Sequence, residues 1–257
     1  MLDGERRDRI LDILRRDLYA SVHTLAGETG ASETTIRRDL ALLESEGRLE
    51  RLHGGAELAT ELRSTTKTPR EAPFETRRIE RSEEKRRIAK AAASLCEDGE
   101  TIFIDGGSTT YRMVEYFRDR MLTIVTNSFA IAEELLQSRD ITVIIPGGIV
   151  YRDSRLILDP FGDQTFRNYL ATTAFMGVGG ITGSGALNND SLLIRTERAM
   201  VEHANRLIVL ADSSKLGRAA PMRLCGLEAI DTLITDGAPE PDLERQLLSA
   251  EVGIIRV

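Results

Sequence analysis

Apolar positions recur at helical spacing three times before residue 45. Ile10, Ile13 and Leu14 mark a first amphipathic helix within 5–17, and a polar turn follows it. Val22, Leu25 and Ala26 mark a short second helix, opened at Ser21 or a neighbour and stopped by Gly30. Ile36, Leu40 and Leu43 fall at i, i+4 and i+7 on a third, with Ser32 as its N-cap. That stripe leaves Thr34, Thr35, Arg37 and Arg38 outward on the first two turns. Beyond Gly47 the period shortens, and residues 48–56 alternate around a Gly-Gly pair, which predicts a small hairpin. Two helices joined by the brief Gly30-Ala31-Ser32 turn and followed by a hairpin predict a winged helix-turn-helix over residues 1–58.

Residues 59–81 are polar, contain Pro69 and Pro73, sustain no period and read as a linker. Ser82-Glu83-Glu84-Lys85-Arg86-Arg87 then opens a charged helix, and from Ile88 onward strands alternate with helices. Residues 101–104, 122–125, 141–145, 173–176 and 207–210 are short apolar runs bounded by polar residues or glycine, with helical patterns at 130–136 and 193–204 between them. Residues 82–257 are expected to form an α/β domain around a mainly parallel sheet.

The chain of 257 residues, 41% hydrophobic, is long enough for two folded domains. No apolar run approaches a bilayer span and the first residues lack the apolar core of a signal peptide, so a cytoplasmic protein with no membrane partner is expected. Cys96 and Cys225 suit a reducing compartment, His23, His53 and His203 show no ligand spacing, and neither metal nor cofactor is called for. A net charge of −7 is awkward for a nucleic-acid binder, because phosphate neutralisation dominates non-specific affinity. Its distribution softens the objection: residues 63–90 hold ten Lys/Arg against five Asp/Glu, while residues 91–257 hold fifteen against twenty-three. Binding to DNA must then rest on placed arginines rather than on a general field. Arginine outnumbers lysine thirty to four, and Lys215 is the only lysine beyond Lys90.

Within the third helix Arg37 has Glu33 one turn before it, so an intrahelical ion pair is the alternative to DNA contact. Arg38 has only Thr34, Thr35, Ala41 and Leu42 at that spacing and is the better candidate. Asp39 is expected to support an arginine rather than touch anionic DNA, and Arg51 and His53 of the hairpin to lie near phosphates. The run Thr35-Ile36-Arg37-Arg38-Asp39-Leu40, with Leu52-His53-Gly54-Gly55-Ala56 after it, resembles the DeoR family of bacterial transcriptional repressors. The resemblance implies a second motif helix in the major groove and a wing on the backbone. It implicates Ser32, Thr34, Thr35, Arg37 and Arg38 in DNA contact, with Arg51, His53 and Gly54 at the wing.

Ligands of open α/β sheets sit beyond the carboxyl ends of the strands, and small polar residues gather there repeatedly. Asp105-Gly106-Gly107-Ser108-Thr109-Thr110, Thr126-Asn127-Ser128, Pro146-Gly147-Gly148, Gly177-Val178-Gly179-Gly180 and Asp212-Ser213-Ser214-Lys215 follow the five runs in turn. Gly106 and Gly107 permit close backbone approach, and Ser108, Thr109 and Thr110 place hydroxyls and N–H groups at a helix start, which makes a phosphate cradle. It is not a nucleotide P-loop, since no lysine follows, and Thr182 stands where a dinucleotide fingerprint needs its third glycine. Asp105 and Asn127 are candidates for sugar hydroxyls and Lys215 for phosphate or carboxylate. The alternative is that Asp105, Ser108 and Asp212 cap helices and the glycines only make turns.

These loops resemble the sensor domain of DeoR-type regulators, which is similar in fold to ribose-5-phosphate isomerase and the coenzyme A transferases. The resemblance implies a phosphorylated sugar or related intermediate as effector. It points to Asp105, Gly106, Gly107, Ser108, Thr109, Thr110, Thr126, Asn127, Gly147, Gly148 and Lys215 as its site. The segments where members differ, here 151–155 and 185–190, add Arg155 and Asp190 as candidates for ligand identity. The expected function is a repressor of a carbohydrate operon, acting on operator DNA as a homodimer or homotetramer and relieved by the effector. Activation is not separable from repression in the sequence. The rival class is a sugar-phosphate isomerase, with Asp105, Asp190, Glu197 and Asp212 as candidate bases.

Overall fold

The computed structural model describes residues 3–17, 19–52, 54–58, 72–159 and 164–257. The chain forms two compact units, Met1–Pro69 and Arg70–Val257.

In the first unit α1 (Asp3–Asp17), α2 (Val22–Thr29) and α3 (Glu33–Ser45) carry the apolar stripes read from the sequence. Ile10, Leu14, Leu25, Ile36, Leu40, Leu43 and Leu49 meet in one core, each at most 2% exposed. Ser21 caps α2 by accepting the Thr24 N–H at 3.0 Å, and Gly30 ends it in the left-handed region at φ 68°. The expected hairpin is present as β2 (Leu49–Leu52) and β3 (Gly55–Leu58), paired antiparallel with Leu52 opposite Gly55. One element was misread: Tyr19–Ser21, expected as a turn, is the strand β1, which pairs with β3 and completes a sheet of order β1-β3-β2. Strand pairing between segments so far apart leaves no period in three residues.

The second unit starts earlier than expected. The linker assigned to 59–81 lies outside the described residues only over 59–71; beyond it α4 (Phe74–Ile79) is folded. Phe74 is 2% exposed, its ring edge-on to Tyr111 at 5.3 Å, and its N–H donates to the Asp153 carbonyl at 2.8 Å. A single buried aromatic anchors this helix, which is why no periodicity announced it. The helix expected from Ser82 follows as α5 (Ser82–Ala93).

The sheet is fully parallel and seven-stranded. Its strands are β4 (Thr101–Ile104), β5 (Leu122–Thr126), β6 (Ile141–Ile144), β9 (Thr173–Gly177), β12 (Leu207–Leu210), β14 (Thr232–Thr235) and β15 (Gly253–Arg256). Their spatial order is β15-β14-β12-β9-β4-β5-β6. Both faces are covered: Phe103, Ala174, Met176 and Val209 join one core, and Ile102, Ile104, Phe175 and Ile208 the other. Two apolar faces explain the unbroken runs. The last two strands were not among the five runs read from the sequence, because Thr232–Thr235 and Gly253–Arg256 hold only two apolar residues each.

Smaller pieces complete the unit. They are a hairpin of β7 (Ile149–Tyr151) and β8 (Leu156–Leu158), and an antiparallel sheet of β10 (Gly180–Thr182), β11 (Gly185–Asn188) and β13 (Met222–Cys225). The helices α6 (Phe129–Leu135), α7 (Gln164–Arg167), α8 (Ser191–Glu202) and α9 (Pro241–Ser249) lie between strands.

Candidate functional site

The first candidate surface is the opening of α3. Ser32 accepts the Thr35 N–H at 3.2 Å and its hydroxyl lies 2.9 Å from Thr35 Oγ1, so the cap is made twice over. With Ile36, Leu40 and Leu43 in the core, Thr34, Arg37 and Arg38 are exposed and Thr35 is half-buried. Arg37 Nη2 donates to Glu33 Oε2 at 3.0 Å, the intrahelical pair foreseen as its alternative. Arg38 makes no side-chain hydrogen bond or ion pair among the described residues. Asp39 points inward and supports an arginine, but that arginine is Arg6 of α1. In the wing, the Arg51 N–H donates to Glu44 Oε1 at 3.2 Å and its guanidinium lies 3.8 Å from Glu44 Oε2. Gly54 makes the turn at φ 83° while its carbonyl accepts the Val22 N–H at 2.9 Å. His53 lies outside the described residues.

The second candidate site follows from strand order. The chain runs from β4 outward through β5 and β6, then returns to place β9 on the other side of β4 and continues to β12. Beyond the carboxyl ends of β4 and β9 the connections diverge and leave a crevice. Asp105 stands in it, 4% exposed; its Oδ1 accepts the Gly107 N–H at 3.1 Å and its Oδ2 the Gly177 N–H at 2.9 Å. One carboxylate thus ties the loop after β4 to the end of β9. Burial pushes its carboxyl above the ordinary value of 3.8, against the pull of those two hydrogen bonds. A cavity of about 140 Å³ opens there, and it brings together Asp105, Gly106, Gly107, Ser108, Thr109, Asn127 and Lys215. Asn127 is 1% exposed and its Oδ1 has no hydrogen-bond partner among the described residues.

Six of the expected ligand residues do not line this cavity. Thr110 is buried and donates its hydroxyl to the Asp105 and Gly107 carbonyls at 3.1 and 2.9 Å, and Thr126 Oγ1 accepts the Ser128 N–H at 3.0 Å. Gly148 does permit a close approach, but to Leu158: a Cβ there would lie 2.2 Å from the Leu158 carbonyl oxygen. Gly147 beside it stands in open space. Arg155 donates to Glu133 Oε2 at 2.5 Å and lies over the Phe129 ring at 5.6 Å. Asp190 immediately precedes α8. The helix that the hydroxyl-rich loop leads into is a seven-residue 3₁₀ helix, Thr110–Tyr116. Attraction for an anion therefore rests on loop N–H groups and hydroxyls more than on an aligned dipole.

The same cavity recruits residues not anticipated as effector ligands, among them Glu197 and Asp212, which the sequence offered as bases of the rival isomerase. Arg77, Arg81 and Lys85 reach it from α4, α5 and the turn between them, and Asn188, Glu197, Asp212, Ser214 and Arg218 complete much of the wall. Asp212 does cap a helix, accepting the Ser214 N–H at 3.0 Å, and also pairs with Arg81. Glu197 accepts from Asn188 Nδ2 at 2.7 Å. Lys85 is only 5% exposed and Nζ donates to the Arg77 carbonyl at 2.5 Å. Burial lowers its pKa from 10.5; the Asp212 carboxylate opposes that shift and the charge of Lys215 adds to it. The signal was present in the sequence, since Lys85 shares a helical stripe with Ile88, Ala89 and Ala92, all buried.

A winged helix-turn-helix joined in sequence to an α/β unit with a polar cavity at its switch point defines a ligand-responsive DNA-binding regulator. Residues 6–61 match the DeoR-like helix-turn-helix domain and residues 80–237 the DeoR C terminal sensor domain. The HTH-type transcriptional regulator UlaR of Escherichia coli K12 / DH10B is 32% identical over 257 residues, covering 100% of both chains. Its counterpart from Shigella boydii serotype 18 gives the same figures. The chain belongs to the DeoR family of transcriptional regulators. Among solved structures, ribose 5-phosphate isomerase A of Methanocaldococcus jannaschii aligns at TM-score 0.39 and 21% identity, over 51% of this chain and 53% of that one. The eIF2B beta subunit of Chaetomium thermophilum aligns at TM-score 0.44 and 13% identity, over 82% and 53%.

Proposed function

We propose that this regulator represses a carbohydrate catabolic operon and releases its operator when a phosphorylated sugar or related intermediate enters the cavity at the β4/β9 switch point. The observation that carries the reading is the meeting of Lys85 and Lys215 with the Gly106–Thr109 loop around one cavity, beside Asn127 Oδ1, which has no hydrogen-bond partner among the described residues. Two ammonium groups and a loop rich in N–H and hydroxyl donors suit a phosphate. The buried amide suits a sugar hydroxyl. Ser32, Thr34, Thr35, Arg37 and Arg38 contact the operator, with Arg51, His53 and Gly54 on its backbone. The protein acts in the cytoplasm as a homodimer or homotetramer, which pairs two winged helices with two half-sites; no helix among the described residues is long and apolar enough to cross a membrane.

The test is a gel shift on DNA from upstream of its own gene at moderate salt, titrated with pentose and hexose phosphates and related sugar acids. Specific retardation relieved by one of these compounds is expected. No retardation, or retardation indifferent to every compound, overturns the reading.

A further inference from the structure

We infer that Arg81 is the residue through which occupancy of the cavity is passed to the segment that follows the linker, an inference that rests on the proposed function above. Arg81 joins α4 to α5 with φ 51° and ψ 41°, a left-handed conformation uncommon for a residue with a side chain. Its guanidinium holds that turn against the loops after β12 and β14. Nε lies 3.2 Å from Asp212 Oδ1, and Nη2 lies 2.7 Å from Ser213 Oγ and 3.2 Å from Asp236 Oδ2.

Each of these carboxylates has a second set of donors. Asp212 Oδ1 accepts the Ser214 N–H at 3.0 Å and the Ser214 hydroxyl at 2.5 Å. Asp236 accepts the Ser213 N–H at 2.6 Å and its hydroxyl at 3.3 Å. Departure of Arg81 therefore leaves neither carboxylate without a hydrogen bond, which lowers the cost of breaking the contact. Arg81 also lines the cavity with Lys85 and Lys215, where a phosphate offers the guanidinium a dianionic, bidentate partner.

Two arrangements compete. With the cavity empty, Arg81 is latched to Asp212 and Asp236. With a phosphorylated ligand bound, it turns to the anion and frees the α4–α5 turn. The ligand shifts the equilibrium by its differential affinity for the second arrangement.

Asp236 and Ser213 do not line the cavity, so changing them weakens the latch without touching the ligand. Isothermal titration calorimetry of the full chain with ribose 5-phosphate, glucose 6-phosphate and inorganic phosphate provides the readout. For whichever probe binds the wild type, Asp236→Asn is expected to tighten binding roughly 5-fold or more, with Ser213→Ala in the same direction. Arg81→Gln is expected to retain operator binding but weaken the ligand and flatten its effect on DNA release. Melting temperature verifies that each variant is folded. Wild-type binding with Asp236→Asn and Ser213→Ala unchanged or weakened overturns the role of Arg81 alone; failure of all three probes to bind the wild type overturns the cavity's phosphate assignment as well.

Discussion

Asp39 of α3 receives two hydrogen bonds from Arg6 of α1, Nε to Oδ2 at 2.6 Å and Nη2 to Oδ1 at 3.3 Å, with both side chains nearly buried. The pair ties the candidate DNA-reading helix to the first helix and turns residue 39 inward immediately after two outward arginines. Removing one partner of a buried ion pair costs more than the pair contributes, because a desolvated charge loses its counterion. Asp39→Ala should therefore lower the stability of the DNA-binding unit by roughly 3 kcal/mol, the low end for such pairs. Urea unfolding of the full chain, followed by circular dichroism, reads it as an earlier transition. The double replacement Arg6→Met with Asp39→Leu should recover most of the loss, and an unshifted Asp39→Ala transition would deny the pair its structural role.

Arg37 and Arg38 should not be equivalent. Arg38 is unengaged among the described residues, whereas Arg37 is held by Glu33 at 3.0 Å. Arg38→Ala should weaken operator binding by about 1–3 kcal/mol, the range of a good guanidinium contact to a base. Arg37→Ala should cost less, and Glu33→Ala should tighten binding by removing a competitor for Arg37. Fluorescence anisotropy on a labelled operator fragment measures all three. Both arginines are exposed, so melting temperatures should hold.

The effector affinity should fall at alkaline pH earlier than an ordinary lysine allows. Burial lowers the folded-state pKa of Lys85 below 10.5, so its ammonium is lost as the pH rises through that lowered value. An anionic ligand bound to the ammonium loses a counter-charge over the same interval. The sign for stability is opposite: the unfolded chain binds the proton more tightly, so the cost of burying the charge fades as the pH climbs from the lowered value toward 10.5. Calorimetric affinity as a function of pH, in the wild type and in Lys85→Met, checks this. The variant should bind weakly and lack the early alkaline loss.

Asn127 offers a contrast between binding and stability. Its Oδ1 is buried without a partner among the described residues, so truncation removes an unsatisfied group rather than a formed bond. Asn127→Ala should leave the melting temperature unchanged or slightly raised while weakening the effector by about 0.5–1.5 kcal/mol, the net worth of one hydrogen bond. A fall in stability with unchanged affinity would mean that the amide serves the fold.

How far the sequence could be read is clearest at three residues of the sensor unit. Asp105 was legible because strand-end acids followed by glycine announce a loop that meets a ligand or a cap, yet its bond to Gly177, 72 residues away, was not. Lys85 enters the sequence reading only as one residue of a charged helix start, although it sits on the apolar stripe of α5. Arg155 is a ligand candidate only because the resemblance puts it in a segment where family members differ; its partners Glu133 and Phe129 lie on α6, to which no local pattern connects it.

By itself, then, the sequence determined whatever depends on neighbours within a few turns: the stripe and polar face of α3, its Ser32 cap, the wing, and the apolar runs that became β4, β5, β6, β9 and β12. It also determined that glycine and hydroxyl residues collect where those strands end. Only the tertiary structure decided which strand ends meet, since the β4–β9 adjacency arises from strand order and from no local periodicity. It alone turned Arg81 onto Ser213 and Asp236, 132 and 155 residues distant, and brought Lys85 to Lys215 across one cavity. Side-chain periodicity is set by backbone geometry residue by residue. A site assembled from loops is set by the packing of a whole sheet, and the charges it gathers can be named only once that packing is known.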